Sequence, residues 1–158
     1  MIRKILMCAM LAAASTTAVA APPARFLRDA IQGSYSEVVL GRMIQSRGAT
    51  GQVRNFGSML VRDHGKALVQ AQAIADRMHL RIAATLTPEA RHEQTVLRRL
   101  SGRSFDREVR RYMIDDHRAD IAKFRNQART GDRATARFAT ATIPVMRHHL
   151  SMAQSIRG

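Results

Sequence analysis

Three histidines stand in the middles of three separate helical stretches, at positions where a bundle ordinarily carries Leu or Ala. His64 closes the run Leu60-Val61-Arg62-Asp63-His64, His117 closes Met113-Ile114-Asp115-Asp116-His117, and His149 closes Val145-Met146-Arg147-His148-His149. A buried imidazole needs a hydrogen-bond partner or a metal ion, because an unpaired polar group in a core is costly. Three of them converging on one core make a candidate metal site. Glu37 shares the apolar row of a fourth helical stretch, so four helices would each contribute one group: Glu37, His64, His117 and His149. Imidazole with carboxylate suits one transition-metal ion, Zn, Fe, Cu or Mn. Three His and one Glu can fill a tetrahedron, or leave a position open if the Glu only orients a ligand. The competing reading is a polar core network without metal, in which the imidazoles only hold helix register. Asp63 and Asp116 precede two of the histidines. Helix neighbours point about 100° apart, so these carboxylates are expected to pair with Arg on an adjacent face rather than ligate the same ion.

The elements that must position these groups are helical throughout. A first helix is expected from Phe26 to Arg47, with Leu27, Ala30, Ser34, Glu37, Gly41 and Ile44 in one row, ended by Gly48. A second runs from Thr50, a good N-cap, to His79. Its seam reads Val53, Gly57, Leu60, His64, Ala67, Ala71, Ile74, Met78, alternating steps of four and three as a core-facing helix does. Residues 80–104 form a long connection with a short helix opened by Thr87-Pro88-Glu89 and closed by Gly102. Ser104 is expected to cap a third long helix to Thr130, with Phe105, Val109, Met113, His117, Ile121, Phe124 and Ala128 inward. Asp132 caps a fourth to Ile156, with the seam Phe138, Thr142, Val145, His149, Met152, Ile156 and a kink at Pro144. No stretch alternates with period two. Short loops make each helix pair antiparallel, and the long connection lets the second and third long helices run parallel. The expected fold is all-α, a ferritin-like four-helix bundle of two antiparallel hairpins joined by a crossover. At 1.5 Å of rise per residue, His64 and His117 then fall at nearly one height, with Glu37 and His149 within about one turn.

The chain has 158 residues, 26 Lys and Arg against 12 Asp and Glu, one Cys and no Trp. Residues 1–20 read as a secretory signal: Arg3 and Lys4, then the apolar run Ile5–Ala14, then Ala18-Val19-Ala20. Residues 21–25 read as a flexible leader and 26–158 as a single bundle domain. Signal removal takes away Cys8, so no disulfide is expected despite export. It also removes two cations, leaving a charge of about +12 from the full chain's +14. Such a balance suits anionic envelope lipids or polymers as partners, or else reflects Arg on solvated helix faces. Nucleic acid is not expected, because the Arg are not interleaved with stacking aromatics. Once the signal is gone no transmembrane span is expected. Met43, Met59, Met78, Met113, Met146 and Met152 are spread over the helical seams, where Met is a common core filler.

Tyr35-Ser36-Glu37, Met59 to His64, Leu100-Ser101-Gly102 with Phe105-Asp106, His117 with Phe124, and Ile143-Pro144 leading to His149-Leu150 and Met152-Ala153 together resemble the domain-of-unknown-function family numbered 4142. The resemblance spans nearly all of residues 21–158. It implies a ferritin-like fold and export to the periplasm or outer membrane, and brings no established activity. Di-iron bundles carry Glu-x-x-His on two helices. Here the residues three before the histidines are Val61, Ile114 and Met146. The bridging carboxylates are missing, which disfavours a di-iron ferroxidase.

Two functional readings follow. One is an exported helical bundle holding a transition-metal ion through core His and Glu. The alternative is a non-enzymatic basic module for anionic envelope components, its core histidines purely structural. Enzymatic activity is not the expectation, since no nucleophile, base and orienting acid can be assembled and no phosphate-cradling loop is present.

Overall fold

The computed structural model describes residues 23–157, and within them every regular element is helical. The order is α1 (Pro23–Arg47), α2 (Gly51–Arg77), α3 (Pro88–Arg99), α4 (Gly102–Thr130) and α5 (Arg133–Ser155). The secretory signal expected over residues 1–20 lies outside the described residues. α1 takes in Pro23, Ala24 and Arg25, which the sequence reading leaves in a leader.

The helix starts follow from local chemistry. The Thr50 hydroxyl accepts from the Val53 amide, Thr87 caps α3 with Pro88 at its first position, and the Asp132 carboxylate accepts from Ala134 and Thr135. α2 ends where His79 turns left-handed at φ 55°. A second start differs from expectation. α4 begins at Gly102 rather than after Ser104, and Gly102 opens this helix instead of closing α3. Gly102 sits at φ 56°, a conformation glycine adopts without Cβ strain, and this lets α4 follow α3 almost without a loop.

α1 packs mainly on α2, and α4 on α5. At the first of these contacts the backbones nearly touch. A Cβ on Gly57 would lie 2.4 Å from the Gln45 amide nitrogen and 2.7 Å from the Gly41 carbonyl oxygen. The hairpins are tied together by Asp106, which is 1% exposed and accepts from the Ala49 amide at 2.9 Å and from the Thr50 amide and hydroxyl at 3.1 Å each.

The interior holds two apolar clusters. One contains Phe26 and Ile31 of α1, Ala71 and Ile74 of α2, Phe124 of α4 and Phe138 of α5. The other contains Leu40 and Ile44 of α1, Phe56 and Leu60 of α2, Phe105 and Met113 of α4, and Ala153 of α5. α1 and α5 therefore pass from the first cluster to the second along the chain, while α2 and α4 pass from the second to the first. Between the clusters each of the four long helices contributes polar groups: Ser34 and Glu37, His64, His117, and Thr142 and His149, all buried. The seam of α5 is corrected at two steps. Met146 and Ala153 are buried where Val145 and Met152 were expected, and Val145 is 39% exposed.

Candidate metal centre

The polar layer between the two apolar clusters brings His64, His117 and His149 together. Their ring centroids lie 5.1 to 5.6 Å apart. One ring nitrogen from each lies within 4.8 Å of the others. His117 is 1% exposed, His149 0% and His64 7%. An ion about 2.0–2.1 Å from each imidazole nitrogen holds its donors roughly 3.3–4 Å apart, so the three rings would draw inward to close on a metal.

Burial pulls the His64 imidazole well below its usual pKa, with His117 and His149 adding to the effect. Burial, helped by His149, pushes His117 down to about 3. His149 is also lowered by burial, against an upward pull from Asp63. All three rings are therefore neutral at pH 7, the form that carries a lone pair and ligates metals.

The tautomers follow from the partners. His149 Nε2 lies 3.2 Å from Asp63 Oδ2 and donates to it, leaving His149 Nδ1 as an acceptor 3.3 Å from His117 Nε2. Asp63 is in turn held by both Arg62 nitrogens, Nε at 2.9 Å and a terminal amine at 3.0 Å. Burial raises the Asp63 carboxyl, but Arg62 and His149 outweigh it and hold it below the usual carboxylate range. Asp63 therefore pairs with Arg as expected, and it does something the sequence reading missed. Standing one residue before His64, it points toward a different histidine, on α5. A ligating imidazole held through its other nitrogen by a carboxylate is the usual supporting arrangement in metal sites. The 100° offset between helix neighbours was the signal that could have found it. His64 Nε2 has no hydrogen-bond partner among the described residues.

Glu37 belongs to a second group, with Asp116 and His117, whose ligand atoms also lie within 4.8 Å of one another. The four expected ligands are thus divided between two groups that share His117. Glu37 is 3% exposed, and burial raises its carboxyl well above the usual range, with Asp116 and Asp120 adding to this. The expectation that Asp116 pairs with Arg is corrected. Among the described residues it makes no ion pair with an arginine; it faces Glu37 and lies 3.7 Å from His117 Nδ1. Burial and then Asp120 push its carboxyl up to about 7.

Glu37 and Asp116 of this second group open onto a cleft of about 830 Å³. Asp29 and Glu37 of α1, Glu89 and Glu93 of α3, and Asp115, Asp116 and Asp120 of α4 line it, seven of the chain's 12 acidic residues. Arg111 and Lys123 supply its cationic side. Among the described residues no helix is long and apolar enough to cross a membrane.

No curated protein matches the chain. A crystal structure of a DUF305 fragment from Deinococcus radiodurans superposes with a TM-score of 0.76, covering 87% of this chain and 95% of that one at 17% identity, a likeness of fold alone. The model of the DUF4142 family, described as a domain of unknown function, matches residues 8–156. With nearly its whole length matched, the chain belongs to the DUF4142 family.

Proposed function

We propose that this protein is an exported helical bundle that binds one transition-metal ion between His64, His117 and His149. The observation that carries the reading is the convergence of three buried, neutral imidazoles from three helices within 4.8 Å. The network around them supports it. Asp63 fixes the tautomer of His149 so that its Nδ1 lone pair points inward, and His64 Nε2 is left without a protein partner among the described residues. An all-imidazole set suits Zn, Cu or Fe better than Mg or Ca.

The ferritin-like arrangement is part of the proposal. Its support is the order in which the helices meet the two apolar clusters, with α2 and α4 running one way and α1 and α5 the other. Export, to the periplasm or the outer membrane, rests on the charged, apolar and small-residue pattern of residues 1–20.

The test is metal analysis of untagged protein after incubation with Zn²⁺, beside a His64→Ala, His117→Ala double variant. The wild type is expected to retain about one equivalent and the double variant none. Asp63→Asn is expected to weaken binding by about 10–100-fold through loss of the support to His149. Negligible metal in both wild type and double variant removes the reading.

A further inference from the structure

We propose that Glu37, Asp116 and Nδ1 of His117 form a second cation site, distinct from the three-histidine set, which takes a divalent ion from the acidic cleft.

The cleft concentrates negative charge on a protein whose net charge is +14. Seven of 12 acidic side chains share one depression, and they come from three different helices. Exposed carboxylates gather on many surfaces without binding anything, so charge alone assigns no ligand. The assignment rests on Glu37 and Asp116 in the cleft's lining and on His117 directly behind Asp116. Glu37 is 3% exposed, and its Oε2 has no hydrogen-bond partner among the described residues. His117 is 1% exposed, and its Nδ1 makes no well-formed hydrogen bond among the described residues, the Met113 backbone one turn back giving only a weak contact. One carboxylate oxygen each from Glu37 and Asp116 and one ring nitrogen of His117 lie within 4.8 Å of one another, and Nδ1 is the His117 nitrogen 3.7 Å from Asp116. Burying such groups unsatisfied is costly, and a cation held between the three side chains would satisfy both open atoms together.

The chemistry of the donors separates this site from its neighbour. Two carboxylates and one imidazole make a harder set than three imidazoles, suited to Mn²⁺ or Fe²⁺. The surrounding acids supply long-range attraction that raises the local cation concentration. The cleft is also wide enough for the ion to keep several of its waters, as carboxylate-bound divalent ions do. His117 joins the two sites. Its Nε2 faces His149 and its Nδ1 lies 3.7 Å from Asp116. A neutral imidazole has one lone pair, so the tautomer of His117 decides which site it serves.

The site is separable from the three-histidine reading, because His64 and His149 take no part in it. Mn²⁺ is titrated into untagged protein and the free ion followed by its electron paramagnetic resonance signal. The wild type and His64→Ala are both expected to take up about one equivalent. Glu37→Gln and Asp116→Asn, each close in shape to the original, are expected to weaken uptake by at least about tenfold, since even an indirect supporting partner is worth that much. Circular dichroism confirms that each variant is folded, and the wild-type background serves if His64→Ala is not. Absence of Mn²⁺ uptake by wild type overturns the proposal. So does uptake that ignores both carboxylate substitutions, or uptake that His64→Ala abolishes in a folded protein. Retained Mn²⁺ binding with no Zn²⁺ at the imidazoles would instead sink the three-histidine reading and leave this one standing.

Discussion

Two buried polar regions tie this bundle together, and they are built on opposite terms. At the junction of the hairpins, Asp106 uses both carboxylate oxygens on donors of one turn, the Ala49 amide and the Thr50 amide and hydroxyl. Between the apolar clusters, the histidine and glutamate layer leaves Glu37 Oε2, His64 Nε2 and His117 Nδ1 without partners among the described residues. Both regions are almost wholly shielded from water. A buried group kept for architecture is satisfied by the protein, as Asp106 is. On the proposed reading, the groups left open in the polar layer are kept for an ion that the polypeptide does not supply. The contrast is between polarity satisfied by the chain and polarity left open within it.

The sharpest way to break that comparison is at its structural pole. Asp106→Ala strands two backbone amides and a hydroxyl and unties the turn between α1 and α2 from α4. It is expected to cost about 3–5 kcal/mol in urea unfolding, as removal of one member of a buried charged network does. A loss below about 1 kcal/mol would mean that the turn is held by something else.

Glu93 offers an intermediate case on the cleft wall. It is 2% exposed, its Oε1 has no partner among the described residues, and Arg111 lies 3.6 Å from its Oε2. Burial, with the neighbouring Glu108 carboxylate, raises its pKa to about 7 against the pull of Arg111. The folded state thus holds a proton that the unfolded chain releases near its ordinary value. The stability this carries is complete below pH 4.5 and is lost as pH rises through 7. Glu93→Gln keeps the protonated shape at every pH. Its stability relative to wild type is expected to be flat below pH 4.5 and to climb by on the order of 2 kcal/mol by pH 8. A difference that does not vary with pH would place the proton elsewhere.

The smallest effect is expected at the ligand pole. In metal-free protein, His64→Leu replaces an unsatisfied imidazole with an apolar group of similar size, and stability should change by less than about 1 kcal/mol, toward the more stable side. The same variant in the presence of Zn²⁺ loses the stabilisation that binding gives wild type, about 2.7 kcal/mol at a hundredfold excess over Kd. A large loss in the metal-free state would recast His64 as structural and remove the contrast with Asp106.

Much of the bundle was legible along the chain. The rows of Leu27 to Ile44, Val53 to Ile74 and Phe105 to Phe124 were read in the right phase, because a helix of 3.6 residues per turn writes its buried face directly into spacing. The caps at Thr50, Thr87 and Asp132 were equally local, each needing only a side chain and an amide two or three residues on. The phase slipped in α5, where Met146 and Ala153 are inward in place of Val145 and Met152. A step of three and a step of four are both close to one turn, and only the packing partner chooses between them.

By itself, then, the sequence determined the helices, their inward rows, and the burial of His64, His117, His149 and Glu37, since periodicity is a property of neighbours within one helix. What only the tertiary structure decided is which of these groups meet. That Glu37 joins Asp116 rather than His64 and His149, that Asp63 reaches across to α5, and that Asp106 closes a turn more than fifty residues away all depend on how helices rotate against one another. That rotation is set by the close contact of Gly41 with Gly57 and by the shapes of the two apolar clusters. Interactions of that range leave no periodic trace in the chain, because the residues that make them are distant in sequence and adjacent only after folding.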